Sequence, residues 1–342
     1  MSFSVLPVNL EEDNRLLIEM MRRYLTPLSN ERRFNWLYKE NPEGQAKLWV
    51  LLHSDTNSIV GSAAVVPRRM YVRNQELRCA LLVDLWIHPE YRTLGPALKL
   101  QRACLDEIRA GAYSLYYDFP QSSMLAVHKR LGVDASHQFV RLTKPLNVEG
   151  KFGRVAQVPV LGRLLTSGTN RLLAFGDELR SRHSESTISE QTDMFGEDIT
   201  AFTRQHSSGY GTCVARTASY LNWRFQSHFH NRFTILTAHQ KNSLAGYIVF
   251  VDQGEVARIV DLFTIEDRSV TAHLVFSALD VLRGRGALRV DVPCLCSHSQ
   301  TSFLRGIGFF ARETHPVVVS ATRASFDFGS HELFLMDGDR ES

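Results

Sequence analysis

The feature that most constrains this chain is that its last third repeats its first third, in order. Leu221-Asn222-Trp223-Arg224-Phe225 echoes Phe34-Asn35-Trp36-Leu37-Tyr38, and Leu244-Ala245-Gly246-Tyr247 echoes Ile59-Val60-Gly61-Ser62. Val260-Asp261-Leu262-Phe263 echoes Val83-Asp84-Leu85-Trp86, and Ile307-Gly308-Phe309 echoes Leu131-Gly132-Val133. The separation is 187 residues from Trp36 to Trp223, 185 from Gly61 to Gly246, 177 from Asp84 to Asp261 and 176 from Gly132 to Gly308. Short deletions in loops account for that drift, so an internal duplication is the economical reading. A length of 342 residues has room for two modules of about 150 residues each. We expect modules at 1–147 and 196–342, joined by residues 148–195.

Within the first copy the pattern alternates strand and helix signals. Residues 10–25 read as an amphipathic helix ended near Pro27. Leu48–Leu52 and Ile59–Val65 read as a hairpin across Asp55-Thr56-Asn57, and 68–78, carrying Arg68, Arg69 and Arg73, as a polar connection. Leu81–Ile87 is a strand candidate bounded by Pro89. Arg92-Thr93-Leu94-Gly95-Pro96-Ala97 then opens a helix with Pro96 at the first helical position, Leu100, Cys104 and Ile108 on one face and Gly111 as its stop. Tyr113–Phe119 is a further strand, followed by a short helix capped by Ser122 or Ser123 and ended by Gly132. Between the copies, Val158–Leu179 has a helical pattern of apolar and basic residues, and 181–193 is a polar, serine-rich loop.

A tight turn feeding a helix leaves backbone N–H groups unpaired at the positive end of the helix dipole, which favours a bound anion. One glycine before a helix is an ordinary packing solution, and the flanking residues carry the specificity. The order strand, Pro89-Glu90-Tyr91-Arg92, x-x-Gly95-x-Ala97, helix resembles motif A of the GNAT superfamily of acyltransferases, whose Arg/Gln-x-x-Gly-x-Gly/Ala turn holds the pyrophosphate of acyl-coenzyme A. Pro96 has no N–H, so the resemblance assigns the cradle to Thr93, Leu94, Gly95 and Ala97. It implies an α/β (α+β) fold of two tandem GNAT-like domains, each a mixed, mostly antiparallel sheet flanked by helices. It further implies that acetyl-CoA or another acyl-CoA lies along Leu85, Trp86 and Ile87, with Gln121 near the donor arm. Asp84 is then a candidate base and His128, where active members commonly have Tyr, a candidate acid. Each has a plainer reading: Asp84 is matched by Asp261 in the second copy, as a structural carboxylate would be, and His128 as a helix-surface side chain.

The second copy lacks the phosphate turn. After Asp261 it reads Thr264-Ile265-Glu266-Asp267-Arg268-Ser269-Val270, with no glycine and two acidic residues where a pyrophosphate would approach, and Leu304 stands at the place of His128. We expect a degenerate module kept for packing, dimerisation or shaping the acceptor pocket.

Composition narrows the remaining classes. A formal charge of +3, with 39 basic and 36 acidic side chains and no Lys/Arg block, disfavours bulk binding to nucleic acid. No apolar run reaches the ~18 residues of a membrane span, and the N-terminus lacks a basic-then-apolar leader, so a cytoplasmic protein is expected. Five cysteines without a C-x-x-C pair suit reduced thiols, and Cys294-x-Cys296 has no second ligand pair, so no metal is expected. The expected activity is acetyl transfer from acyl-CoA to the amine of a small metabolite or amino sugar, a sugar nucleotide among the candidates, with a homodimer as the candidate assembly. The rivals are a non-catalytic acyl-CoA sensor or scaffold, and a transferase using acyl carrier protein or aminoacyl-tRNA as donor.

Overall fold

A computed structural model describes residues 2–72, 75–111, 113–147, 185–322 and 332–341. The connector helix expected over 158–179 lies outside the described residues. In the first half the order is β1 (Phe3–Pro7), α1 (Arg15–Tyr24), α2 (Glu31–Phe34), β2 (Lys47–His53), β3 (Ser58–Val72), β4 (Gln75–Ile87), α3 (Leu94–Ala110), β5 (Leu115–Asp118), α4 (Ser122–Arg130) and β6 (His137–Pro145). The second half adds β7 (Thr187–Glu190), α5 (Glu197–His206), β8 (Thr212–Val214), α6 (Ala218–Leu221), β9 (Thr234–Gln240), β10 (Ser243–Gln253) and β11 (Val256–Thr264). It closes with α7 (Arg268–Gly284), β12 (Arg289–Leu295), α8 (Ser299–Gly306), β13 (Phe310–Ala321) and β14 (Leu333–Phe334).

Period-two burial makes the strands. On β3, Ala64, Val66 and Met70 pack into one core while Ala63 and Val65 pack into the other, so the sheet is covered on both faces. The strands form one sheet in the order β1-β2-β3-β4-β5-β13-β6-β12-β11-β10-β9-β7. Its centre records an exchange between the two halves. Strand β6 pairs antiparallel with β12, and β13 pairs antiparallel with both β5 and β6, so each half's late strand lies between strands of the other. Neighbouring strands are mostly antiparallel, with β4–β5 and β11–β12 the parallel pairs on the main path.

The repeated Asn-Trp motif has a structural counterpart at the centre of the molecule. Both α2 and α6 continue into a turn of π-helix, closed by Glu40 N–H to the Asn35 carbonyl at 2.9 Å and Ser227 N–H to the Asn222 carbonyl at 2.8 Å. That turn carries Trp36 and Trp223 to the junction of the two halves, where their rings stack with centroids 4.5 Å apart. Leu131 and Ile307 likewise end α4 and α8 before Gly132 (φ +76°) and Gly308 (φ +98°), the left-handed residues of matching caps.

Four local expectations are corrected. Residues 68–72 continue β3, and β4 already starts at Gln75; Arg68 is fully buried with its guanidinium 5.0 Å from the Trp223 ring, which is how a charged run became strand. Pro96 is the third residue of α3, still in the first turn where a missing N–H costs no helical bond. Gln121 precedes α4 without a side-chain cap bond, and Ser122 is its first residue. The serine-rich loop contains β7, a strand antiparallel to β9. Among the described residues no helix is long and apolar enough to cross a membrane.

Candidate functional site

The site begins with a bulge in β4. Ser62 pairs with Trp86 and Ala64 with Val83, so Asp84 and Leu85 together face Ala63, and Asp84 takes φ +55°. A left-handed backbone at a non-glycine residue is strained and must be held in place by its surroundings. Here the surroundings are a buried ion pair. Arg33 donates to Asp84 Oδ2 at 2.9 Å and Oδ1 at 2.8 Å, and the Tyr38 hydroxyl donates a short hydrogen bond to Oδ2. Burial and the neighbouring Asp84 charge push the Tyr38 phenol well above its ordinary pKa, so it stays a donor. The bulge also shifts the phase of the strand. Before it, Leu81 and Val83 face the α1 side and Leu82 the α3 side; after it, Trp86 faces α1 while Leu85 and Ile87 face α3.

Past the bulge β4 has no partner on its β5 edge. The two strands pair only at Cys79–Leu81 with Leu115–Tyr117 and then diverge. The gap opens a cleft of about 590 Å³ that crosses the sheet. Tyr24, Val83, Asp84 and Trp86 line it from the α1 side, Leu82, Ile87, Ala97, Gln101 and Val127 from the α3 side. At one mouth stands the turn into α3. Thr93 and Leu94 line the cleft there, and Arg92 also does, with its Nε donating to the Ile87 carbonyl at 3.0 Å. A Cβ built on Gly95 would meet no atom within 4 Å, so the fold itself does not demand glycine there. Three acidic residues line it: Asp84, Asp118 and Glu341. Burial raises the Glu341 pKa above the ordinary glutamate value, and the Asp84 charge adds to the rise.

Of the residues expected from sequence, Asp84, Leu85, Trp86, Ile87, Arg92, Thr93, Leu94, Ala97 and Gln121 line this cleft. Gly95, Pro96 and His128 belong to the same elements and do not line it. His128 is buried behind the wall, with Nε2 2.7 Å from Asp118 Oδ2 and Nδ1 without a protein partner. That arrangement fits the neutral tautomer with Nε2–H donating to the carboxylate. Sequence reading missed Tyr24, Gln101, Asp118 and Glu341. Tyr24 stacks on Trp86 with centroids 5.5 Å apart and bonds His88 Nε2 through its hydroxyl at 2.9 Å.

The second half has the same split between β11 and β12, which pair only at Val256–Arg258 with Arg289–Asp291. There the gap is filled by the chain's own residues 335–338. Leu295 N–H donates to the Leu335 carbonyl at 3.2 Å, Met336 bridges Cys294, and a Cβ on Gly338 would lie 3.0 Å from the Val260 carbonyl. Ion pairs lock this strap: Asp337 with Arg258 at 3.0 Å, and Asp339 with Arg216 at 3.1 Å. Arg216 also holds Asp261, the counterpart of Asp84, at 2.9 Å. At the start of α7, Asp267 accepts from the Ser269 N–H at 2.7 Å, so a fixed carboxylate sits where the first half leaves its turn open. The strap then runs on to place Glu341 in the first half's cleft.

Residues 11–134, nearly the whole first half, match the family described as acetyltransferase (GNAT) domain. By that match the N-terminal part of this chain carries a GNAT-type domain. No curated protein matches the chain. Among solved structures, the GCN5-related N-acetyltransferase from Anabaena variabilis aligns over 94% of this chain and 73% of its own, at 15% identity and TM-score 0.66. A tandem GNAT protein from the clavulanic acid biosynthesis pathway aligns over 95% of this chain and 100% of its own, at 13% identity and TM-score 0.58. N-myristoyltransferase from Saccharomyces cerevisiae with bound myristoyl-CoA aligns over 93% and 82%, at 12% identity and TM-score 0.55. At such identities these likenesses concern the fold. The GNAT domain match over residues 11–134 supports an acyl-CoA-dependent acyltransferase in general terms. Among the described residues no group of three or more His, Cys, Asp or Glu is placed to hold a metal ion.

Proposed function

We propose that this protein transfers an acyl group from acyl-CoA to the amine of a small molecule, an amino sugar or sugar nucleotide among the candidates, and that the reaction takes place in the N-terminal half. One observation carries the reading: the first half's cleft is open through the sheet at the Asp84 bulge, whereas the equivalent gap in the second half is filled by residues 335–338. The pyrophosphate sits on the amides of Leu94, Gly95 and Ala97 at the start of α3, while the Thr93 N–H, expected to join them, already donates to the Tyr91 carbonyl at 2.7 Å; the pantetheine arm takes the place of a strand along Leu85, Trp86 and Ile87. The thioester then lies at the bulge. The acceptor enters from the α1 side, past Tyr24 and Trp86.

Glu341 takes the proton from the acceptor ammonium, for which a raised carboxyl pKa is suited. The neutral amine attacks the carbonyl carbon, the C–N bond forms, and the C–S bond breaks. The thiolate leaves and, through water, takes up the second proton that the amide nitrogen loses, so no acid is needed from His128, which stands behind the cleft wall on Asp118. Asp84 is occupied by Arg33 and Tyr38, so its part is to hold the bulge, and hence the backbone on which the thioester rests.

Calorimetry with acetyl-CoA tests the donor, and a free-thiol release assay over a panel of amines, amino sugars and sugar nucleotides tests the acceptor. Absence of CoA binding rejects the proposal. Binding with no thiol release from any amine favours an acyl-CoA sensor instead.

A further inference from the structure

One side chain in the cleft carries a buried hydrogen-bond donor that the protein leaves without a partner, which is costly. Gln101 lies on α3 and is 2% exposed, it lines the cleft, and its amide nitrogen has no protein partner. Its neighbours along the same helix face are Ala97, Leu100, Cys104 and Leu105, all buried in the α3-side core. A leucine would fill that volume without leaving a donor unpaired.

Its depth can be placed by the geometry of the elements. Strands β4 and β5 are parallel, so α3, which connects them, runs back antiparallel to β4. Gln101 is seven residues past Leu94, about 10 Å along the axis at about 1.5 Å per residue. Asp84 is three residues back from Ile87, also about 10 Å at about 3.3 Å per residue. Gln101 is therefore level with the bulge and well below the phosphate turn. It lies on the opposite face of the sheet from Arg33 and Tyr38, and so from the side on which the acceptor enters.

We propose that Gln101 reads the acyl group of the donor, donating its amide N–H to a neutral oxygen on the acyl chain, a hydroxyl or keto group such as that of a 3-hydroxyacyl or 3-oxoacyl thioester. This rests on the acyl-CoA reading above. A carboxylate-tailed acyl group fits poorly, because Asp84, Asp118 and Glu341 already line the same cleft. An unsubstituted acyl chain leaves the donor unpaired.

Calorimetric titration of the whole chain with CoA, butyryl-CoA, 3-hydroxybutyryl-CoA and succinyl-CoA tests this without knowledge of the acceptor. The wild type is expected to bind 3-hydroxybutyryl-CoA about tenfold tighter than butyryl-CoA, the scale of one well-made hydrogen bond to an otherwise unpaired donor. Gln101→Leu is expected to erase that difference, leave CoA affinity unchanged and melt no lower than the wild type. Equal wild-type affinity for the two butyryl thioesters overturns the proposal, as does a Gln101→Leu loss shared by all the acyl-CoAs, which would assign the amide to the thioester carbonyl or the pantetheine. Failure of CoA itself to bind would instead reject the donor reading on which the proposal stands.

Discussion

Trp36 and Trp223 each donate an indole N–H to the other's main-chain carbonyl, at 3.0 and 2.9 Å, across their stacked rings. The reciprocity is that of a two-fold axis, and it falls on the residues where the internal repeat is most legible. Each ring also has a buried guanidinium nearby, Arg224 beside Trp36 at 5.6 Å and Arg68 beside Trp223 at 5.0 Å. Replacing Trp223 by Phe keeps the stack and removes one N–H, leaving the Trp36 carbonyl unpaired in the core. The expected loss is about 1–2 kcal/mol. Urea denaturation of both single variants and the double variant checks it, and the double variant is expected to lose less than the sum because the two bonds share one geometry.

Asp84→Asn is expected to act on stability before chemistry. Arg33 and Asp84 are both buried, and removing one charge strands the other, at a cost of about 3–5 kcal/mol. A denaturation midpoint equal to the wild type's would show that the pair does not hold the bulge.

Gly95→Glu separates folding from binding. Because a Cβ at Gly95 meets nothing within 4 Å, the variant is expected to melt with the wild type. A carboxylate beside the pyrophosphate is expected to abolish acetyl-CoA binding. Undiminished affinity in calorimetry would place the phosphate site elsewhere.

Glu341→Gln should lower turnover about 10²- to 10⁴-fold with acyl-CoA affinity little changed, the usual scale for loss of a proton acceptor. The pH dependence has a definite sign. A carboxyl with a raised pKa is protonated over a wider acidic range, so wild-type kcat is expected to fall as pH drops through that raised value, above the ordinary glutamate range. In the variant that acidic limb should vanish. The same shift means that ionising Glu341 opposes folding, so its contribution to stability is full at low pH and is lost as pH rises from the unfolded to the folded value. A kcat profile that keeps its acidic limb in the variant would remove Glu341 from this role.

Much of the site was legible because it is local. Leu81–Ala97 is one strand, one turn and one helix, and periodicity with a Gly/Pro turn reveals such a unit. What escaped is what depends on distant partners. Arg33 and Asp84 are 51 residues apart in sequence, and nothing near either one announces the pair. Arg68 reads as surface charge because its burial depends on an aromatic ring from the other half. Strand β6 carries an ordinary pattern, and no local signal tells that its neighbour is β12. Glu341 is one carboxylate in a polar tail, placed by a strap whose ion pairs run to Arg216 and Arg258.

The interleaving of β6 and β13 bears on how this protein can be taken apart. A cut between the repeats yields no self-sufficient halves: each fragment would present an open sheet edge where the other's late strand had been, a template for faulty self-association. A minimal enzyme carved from the N-terminal repeat would lose both β13 and Glu341. The duplicate whose own cleft is filled has become indispensable to its twin, and any shortened version must carry it whole.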